Sequence, residues 1–214
     1  MSSSIKPRIV RKNFPKNRIT RTGFRKVWAY LALDFEHRCA YSMQHTYRAG
    51  GRKCMEVDHF DPRKKRDAVQ DYNNLFPATR HCNGAKRNSW PNAKDQRRGI
   101  RFLNCCDETD YGVHIFEDPD THELVGITPE GRYHVRCCDL NAKHLIEERS
   151  ERHKLWELLR TQPVKIKSGW SLPLPAQAMK QVVERMIPII PWLSGKDLAQ
   201  RRVLRKAMAA LPLL

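Results

Sequence analysis

The sequence predicts an α+β fold, and three observations carry that prediction. Apolar residues recur at helical spacing over residues 24–38, ahead of any strand signal. Two short strand-type runs, 54–60 and 72–77, then lead into a helix-type run at 79–88. Further along, short strand-type runs broken by turn residues give way to helical patterns.

In the first helix, Phe24, Val27, Leu31 and Phe35 share one side. The run CMEVDHF (54–60) reads as a strand stopped by Asp61-Pro62. A basic loop follows, with Arg63, Lys64, Lys65 and Arg66. Tyr72 to Pro77 reads as the return strand, and Thr79 to Asn88 as a short helix with Thr79 as N-cap. Strand, loop, strand and helix make a ββα unit. Next, residues 111–117 and 123–128 flank the turn-rich DPDTH. A second turn at Pro129-Glu130-Gly131 leads to RYHVRCC, so a three-stranded antiparallel meander is expected.

Asp139 or Asn141 is placed to cap a helix over 142–160, in which Glu148 and Arg152 pair at i,i+4. Pro163, Gly169, Pro173 and Pro175 mark a linker. Helices are expected over 176–187 and near 196–211. The last mixes apolar residues with Arg201, Arg202, Arg205 and Lys206. Such a face suits nucleic acid, a membrane surface or a partner, and is also common as a merely solvated face. The chain thus divides into a basic arm (1–23), the ββα unit (24–104), a meander plus helix (105–162), and a linker with C-terminal helices (163–214).

The 214 residues carry a formal net charge of +17 and a pI near 9.9. That charge favours a polyanionic partner, with a solubilising surface as the alternative. It is clustered, because residues 1–33 contain no Asp or Glu. An arm that orders on nucleic acid accounts for this run; a transit-like segment is the other reading. No apolar run reaches membrane-spanning length and no secretory leader is evident, so a soluble, cytoplasmic protein is expected. The seven cysteines, an odd number, read as reduced thiols rather than a disulfide set.

Three short pieces carry the chemistry: VDHFDP with Asp58 and His59, YNNL with Asn74, and CNGAKRN with Asn83 and Lys86. Their order and spacing resemble the HNH, or ββα-metal, endonuclease motif in its His-Asn-Asn form. The resemblance covers roughly residues 39–88. It implies a ββα-metal fold, a divalent-metal-dependent nuclease and, in most members, a DNA substrate. Residue by residue, it implies His59 as general base, Asp58 and Asn83 as metal ligands, and Asn74 as the structural asparagine.

The chemistry has need of these residue types. Mg²⁺ (or Mn²⁺) takes oxygen ligands and keeps several waters, so a carboxylate and an amide oxygen suffice. An imidazole with an ordinary pKa near 6.5 can accept a proton from water at pH 7. Asn74 is expected to bond the loop backbone and hold His59 in place. Lys86, three residues after Asn83 on one helical face, is expected to contact phosphate, with Lys64, Lys65, Arg66, Arg80 and Arg87 as further phosphate contacts. One difficulty is that Asp58 and His59, as neighbours on a strand, should point to opposite faces unless the strand ends or bends there.

Many HNH proteins carry two CxxC pairs on a structural zinc. Here CAYS and TRHC keep one cysteine each, Cys39 and Cys82. Cys54, His45 or His81 is a candidate to complete a rearranged site, but packing without zinc is the plainer arrangement. A looser likeness, through CAY, DHFDP, YNNLFPATRHCNGAK and DLN..HLIEER, is to HNH proteins of bacterial antiphage systems, Septu-type and retron-linked. It implies an ABC-type ATPase partner. A basic nucleic-acid-binding or assembly subunit without catalysis is the alternative function.

Overall fold

The computed structural model describes residues 9–107 and 112–161, the last seven of these as backbone only. The expected linker and helices beyond residue 162 lie outside the described residues, as do residues 1–8. The described part is α+β, with helices around two small antiparallel sheets.

A 3-10 turn, Phe24–Val27, runs into helix α1, Trp28–Asp34. This pair is shorter than the expected 24–38 helix. Glu36 and His37 both take positive φ (49° and 58°), a left-handed conformation that cannot continue an α-helix. Strands β1, Met55–His59, and β2, Leu75–Thr79, pair antiparallel with Val57 opposite Pro77 and His59 opposite Leu75. Proline is tolerated in β2 because the sheet has only two strands, so one side of β2 carries no ladder. Helix α2, Arg80–Lys86, follows directly. Thr79 caps it, its hydroxyl accepting from Cys82 N at 3.2 Å.

After the short helix α3, Ala93–Arg97, come strands β3, Ile115–Glu117, and β4, Leu124–Gly126, paired as a hairpin. The third strand of the expected meander is instead helix α4, Pro129–Cys137. Local signals favour the helix: Thr128 accepts from Gly131 N, and Pro129 occupies the first turn. Two glycines seat it. A Cβ on Gly126 would lie 2.3 Å from Arg132 N, and one on Gly131 would lie 2.2 Å from His114 O. Backbone therefore packs on backbone where α4 meets β4. Helix α5, Lys143–Thr161, closes the described chain and contains the Glu148–Arg152 pair at 3.4 Å. Neither expected cap serves it. Asn141 instead bonds both backbone groups of Leu124, and Asp139 sits at φ 47°.

One apolar cluster joins all of these elements except α3, which has no buried residue. It runs from Ile9 and Ile19 through Leu31, Phe35, Leu75, Phe76 and Cys82 to Phe102, Ile115, Leu124 and Leu145. The stretch expected as a free arm is thus packed from Ile9 onward. Arg11 donates to the backbone oxygens of Tyr72 and Leu75 and lies over the rings of Phe35, Tyr72 and Phe76. The buried Asp34 carboxylate accepts from Lys12 N, Asn13 N and the Tyr72 hydroxyl.

Candidate active site

The ββα unit sets two faces of β1 to different tasks. Glu56 and Asp58, two residues apart, lie on one side. Asn83 and Lys86, three apart on α2, meet them: Asn83 Nδ2 donates to Glu56 Oε2, and Lys86 Nζ lies 2.8 Å from Asp58 Oδ2. His59 takes the other side, where it bonds Gln70 and its ring lies 4.8 Å from that of Phe24.

Both sides reach one cavity because β1 ends at His59. Beyond it, Phe60 N donates to Asn74 O, and the chain turns at Asp61. The cavity is about 580 Å³ and is lined by Asp58, His59 and Asn83 together. Glu56, Arg25, Arg52, Lys65 and Arg87 line it as well.

Asn74 sits at the turn. Its Oδ1 accepts from Asp61 N at 2.8 Å and its Nδ2 donates to Asp61 O at 3.1 Å. It clamps the loop that follows His59 and lines none of the cavity. Lys86 departs from the expectation of a phosphate contact. Its side chain is fully buried, ion-paired with Asp58, and donates to His59 O at 3.0 Å. The Phe102 ring covers it, 5.4 Å from Nζ to the centroid. The reason is steric: position 86 on α2 faces β1, not solvent.

Asp58 Oδ2 also accepts from the Tyr41 hydroxyl. Burial and the Asp58 charge hold Tyr41 well above the ordinary phenol range, so it is the donor. With Oδ2 taken, Oδ1 is the Asp58 oxygen left for a ligand. Asn83 is fixed the same way. Its Nδ2 must face the Glu56 carboxylate, which turns its Oδ1 to the other side.

The His59 tautomer follows from Gln70. Gln70 Nε2 donates to Asp67 O, so Gln70 Oε1 faces the imidazole. His59 Nε2 is therefore the protonated nitrogen, and Nδ1 carries the free lone pair. Burial pushes the His59 pKa below 6.5, against the Gln70 bond and the Asp58 charge, which raise it.

Of the expected phosphate contacts, Lys65 and Arg87 line the cavity. Lys64 and Arg66 are exposed in the same 3-10 turn, Pro62–Arg66, as Lys65, but line none of it. Arg80 is drawn to Glu56 at 3.7 Å. The sequence reading missed Glu56, Gln70, Arg25 and Arg52. Glu56 was findable by strand alternation from Asp58. Gln70 reaches His59 through a loop, and no local pattern marks it.

The three cysteines expected as zinc candidates do not all gather. Cys39 and Cys82 are buried in the core near one another, while Cys54 is partly exposed and its thiol lies against Gly50 O. Among the described residues, no group of three or more His, Cys, Asp or Glu is placed to hold a metal. Asp58 with Asn83 is a set of one carboxylate and one amide. No described helix is long and apolar enough to cross a membrane. Comparison with known proteins finds no matching family model, no matching curated protein and no matching solved structure.

Proposed function

We propose that this protein is a divalent-metal-dependent endonuclease that hydrolyses phosphodiester bonds, with DNA as its substrate. One observation carries the reading: a carboxylate, an imidazole with a free nitrogen and an amide oxygen, from Asp58, His59 and Asn83, line a single cavity that cationic side chains also line. The residues fit Mg²⁺ or Mn²⁺, since Asp58 Oδ1 and Asn83 Oδ1 are both hard oxygens and such ions keep several waters. A cation held there would polarise the phosphoryl group and offset charge on the leaving oxygen.

The chain's own residues supply the remainder. His59 Nδ1 accepts the proton of the attacking water. Gln70 holds that ring and its tautomer. Arg25, Arg52, Lys65 and Arg87 draw the phosphate backbone in. Lys86 and Tyr41 orient Asp58 from behind. The resemblance to antiphage HNH proteins extends the proposal to a defence effector that works beside an ATPase subunit in the cytoplasm.

A second reading rests on the same Lys86. Its ammonium already neutralises Asp58, as a non-catalytic basic binding or assembly subunit would allow. Cleavage assays separate the two. The full chain, alone and with its co-purifying partner, is incubated with supercoiled plasmid and Mg²⁺ or Mn²⁺. Nicking is expected, reduced at least about 100-fold in His59→Ala with an unchanged circular dichroism spectrum. Equal cutting by both proteins, or none by wild type on DNA or RNA with any of these metals, favours the binding subunit.

A further inference from the structure

A second cavity of about 470 Å³ lies on the other side of the Phe24–Val27 turn. Phe24 and Arg25 line the first cavity, whereas Gly23 and Lys26 line the second. From Phe24 to Lys26 the backbone spans at most about 7 Å. The far wall of the second cavity is the arm, from Pro15 to Thr20.

That arm wall is tied to the loop that carries Gln70. Gln70 N donates to Ile19 O at 2.9 Å and Arg21 N to Ala68 O at 3.2 Å, with Thr20 bridged to Val69. The Gln70 side chain then bonds His59. The two cavities are thus held in fixed register through two separate connections.

The second cavity has the chemistry of a strand-binding groove. Lys16, Arg18 and Lys26 line it and are exposed, and its lining contains no Asp or Glu. Among the described residues, none of these three cations has an ion-pair partner. Tyr30 lines it too and is 38% exposed. Cations that track a backbone, next to an exposed aromatic face, are what single-stranded nucleic acid binds.

We propose that this cavity is a flanking subsite for an unpaired nucleotide of the substrate. Its base stacks on Tyr30, and its phosphates lie among Lys16, Arg18 and Lys26. The proposal rests on the nuclease reading for the position of the scissile phosphate at His59. An unpaired base is required, because in a duplex both faces of a base are already stacked.

The test measures binding, not cleavage. Full-length protein in chelator is titrated by fluorescence anisotropy against a labelled single strand of about 16 nucleotides and the matching duplex. Tyr30→Ala is expected to weaken single-strand binding on the order of tenfold and leave duplex binding within about twofold, with Tyr30→Phe behaving as wild type. The triple variant Lys16→Ala/Arg18→Ala/Lys26→Ala is expected to flatten the single-strand salt dependence by about two in log–log slope. Equal loss on both ligands in Tyr30→Ala, no loss on either, or an unchanged slope in the triple variant overturns the subsite. Failure of the nuclease reading shows separately, as absent plasmid cutting. Selective single-strand loss without cutting would keep the groove and remove its link to His59 chemistry.

Discussion

Lys86 Nζ lies 2.8 Å from Asp58 Oδ2, at a position where the lysine side chain has no exposure to solvent. The sequence places both residues in the site, but only the packing shows that they spend their charges on each other. The pair makes Asp58 a carboxylate with one oxygen committed to the protein.

Lys86→Met should therefore act on stability first. Removing one partner leaves a buried charge uncompensated, which costs about 3–5 kcal/mol. Denaturant unfolding of the variant checks this, and Asp58→Asn/Lys86→Met should recover part of the loss. A cost below about 0.5 kcal/mol, typical of exposed lysines, would return Lys86 to a phosphate-contact role.

Gln70→Leu should slow cleavage about 10- to 100-fold while leaving DNA affinity unchanged, since it frees the His59 ring without touching charge. Nitrogen-15 imidazole shifts give an independent readout. In wild type they should report a proton on His59 Nε2. A proton on Nδ1 in wild type would contradict the assigned roles of the two nitrogens.

Glu56→Ala should reduce cleavage about tenfold through Asn83, because the amide loses the partner that fixes its orientation. Glu56 is partly exposed, so stability should move by no more than about 0.5 kcal/mol. Unaltered turnover would show that Asn83 is held by something other than this carboxylate.

His134 gives a stability signature at acid pH. It is fully buried on α4, and its Nδ1 accepts from Leu103 N. Burial first, then the Lys86 and Arg101 charges, push its pKa down to about 3. The unfolded chain therefore binds this proton more readily than the folded one. Stability is intact above about pH 6.5 and declines as pH falls from there toward about 3, by up to about 1.4 kcal/mol per pH unit from this group. Thermal midpoints of His134→Asn, which keeps an acceptor, should fall less steeply than wild type between about pH 6.5 and 4. Parallel slopes would remove His134 from the account.

The ββα unit was legible because its signals are local: Thr79 before a short helix, Asp61-Pro62 after a strand, and alternation through MEVDH. The RYHVRCC run misled for a physical reason. Its alternation suits a strand, yet Thr128 and Pro129 start a helix, and Gly126 and Gly131 let that helix sit directly on β4. Within the candidate site, the sequence named Asp58, His59 and Asn83, which line one cavity, but neither the partners that hold them nor Glu56, Gln70, Arg25 and Arg52. Lys86 pointed inward and Gln70 arrived from a loop, and both depend on contacts between segments distant in sequence. The arm read as charge alone. Its anchor is the buried Asp34, whose pKa is lowered because backbone and side-chain donors from Lys12, Tyr72 and Asn13 outweigh its burial.

Binding of a single Mn²⁺ ion, followed by electron paramagnetic resonance on the full chain, addresses the central arrangement most directly. Wild type should take up one ion, and Asp58→Ala and Asn83→Ala should each weaken it at least about tenfold, while His59→Ala retains it. Uptake that ignores both ligand substitutions, or no uptake by wild type, would contradict a cation site built from Asp58 and Asn83 beside His59.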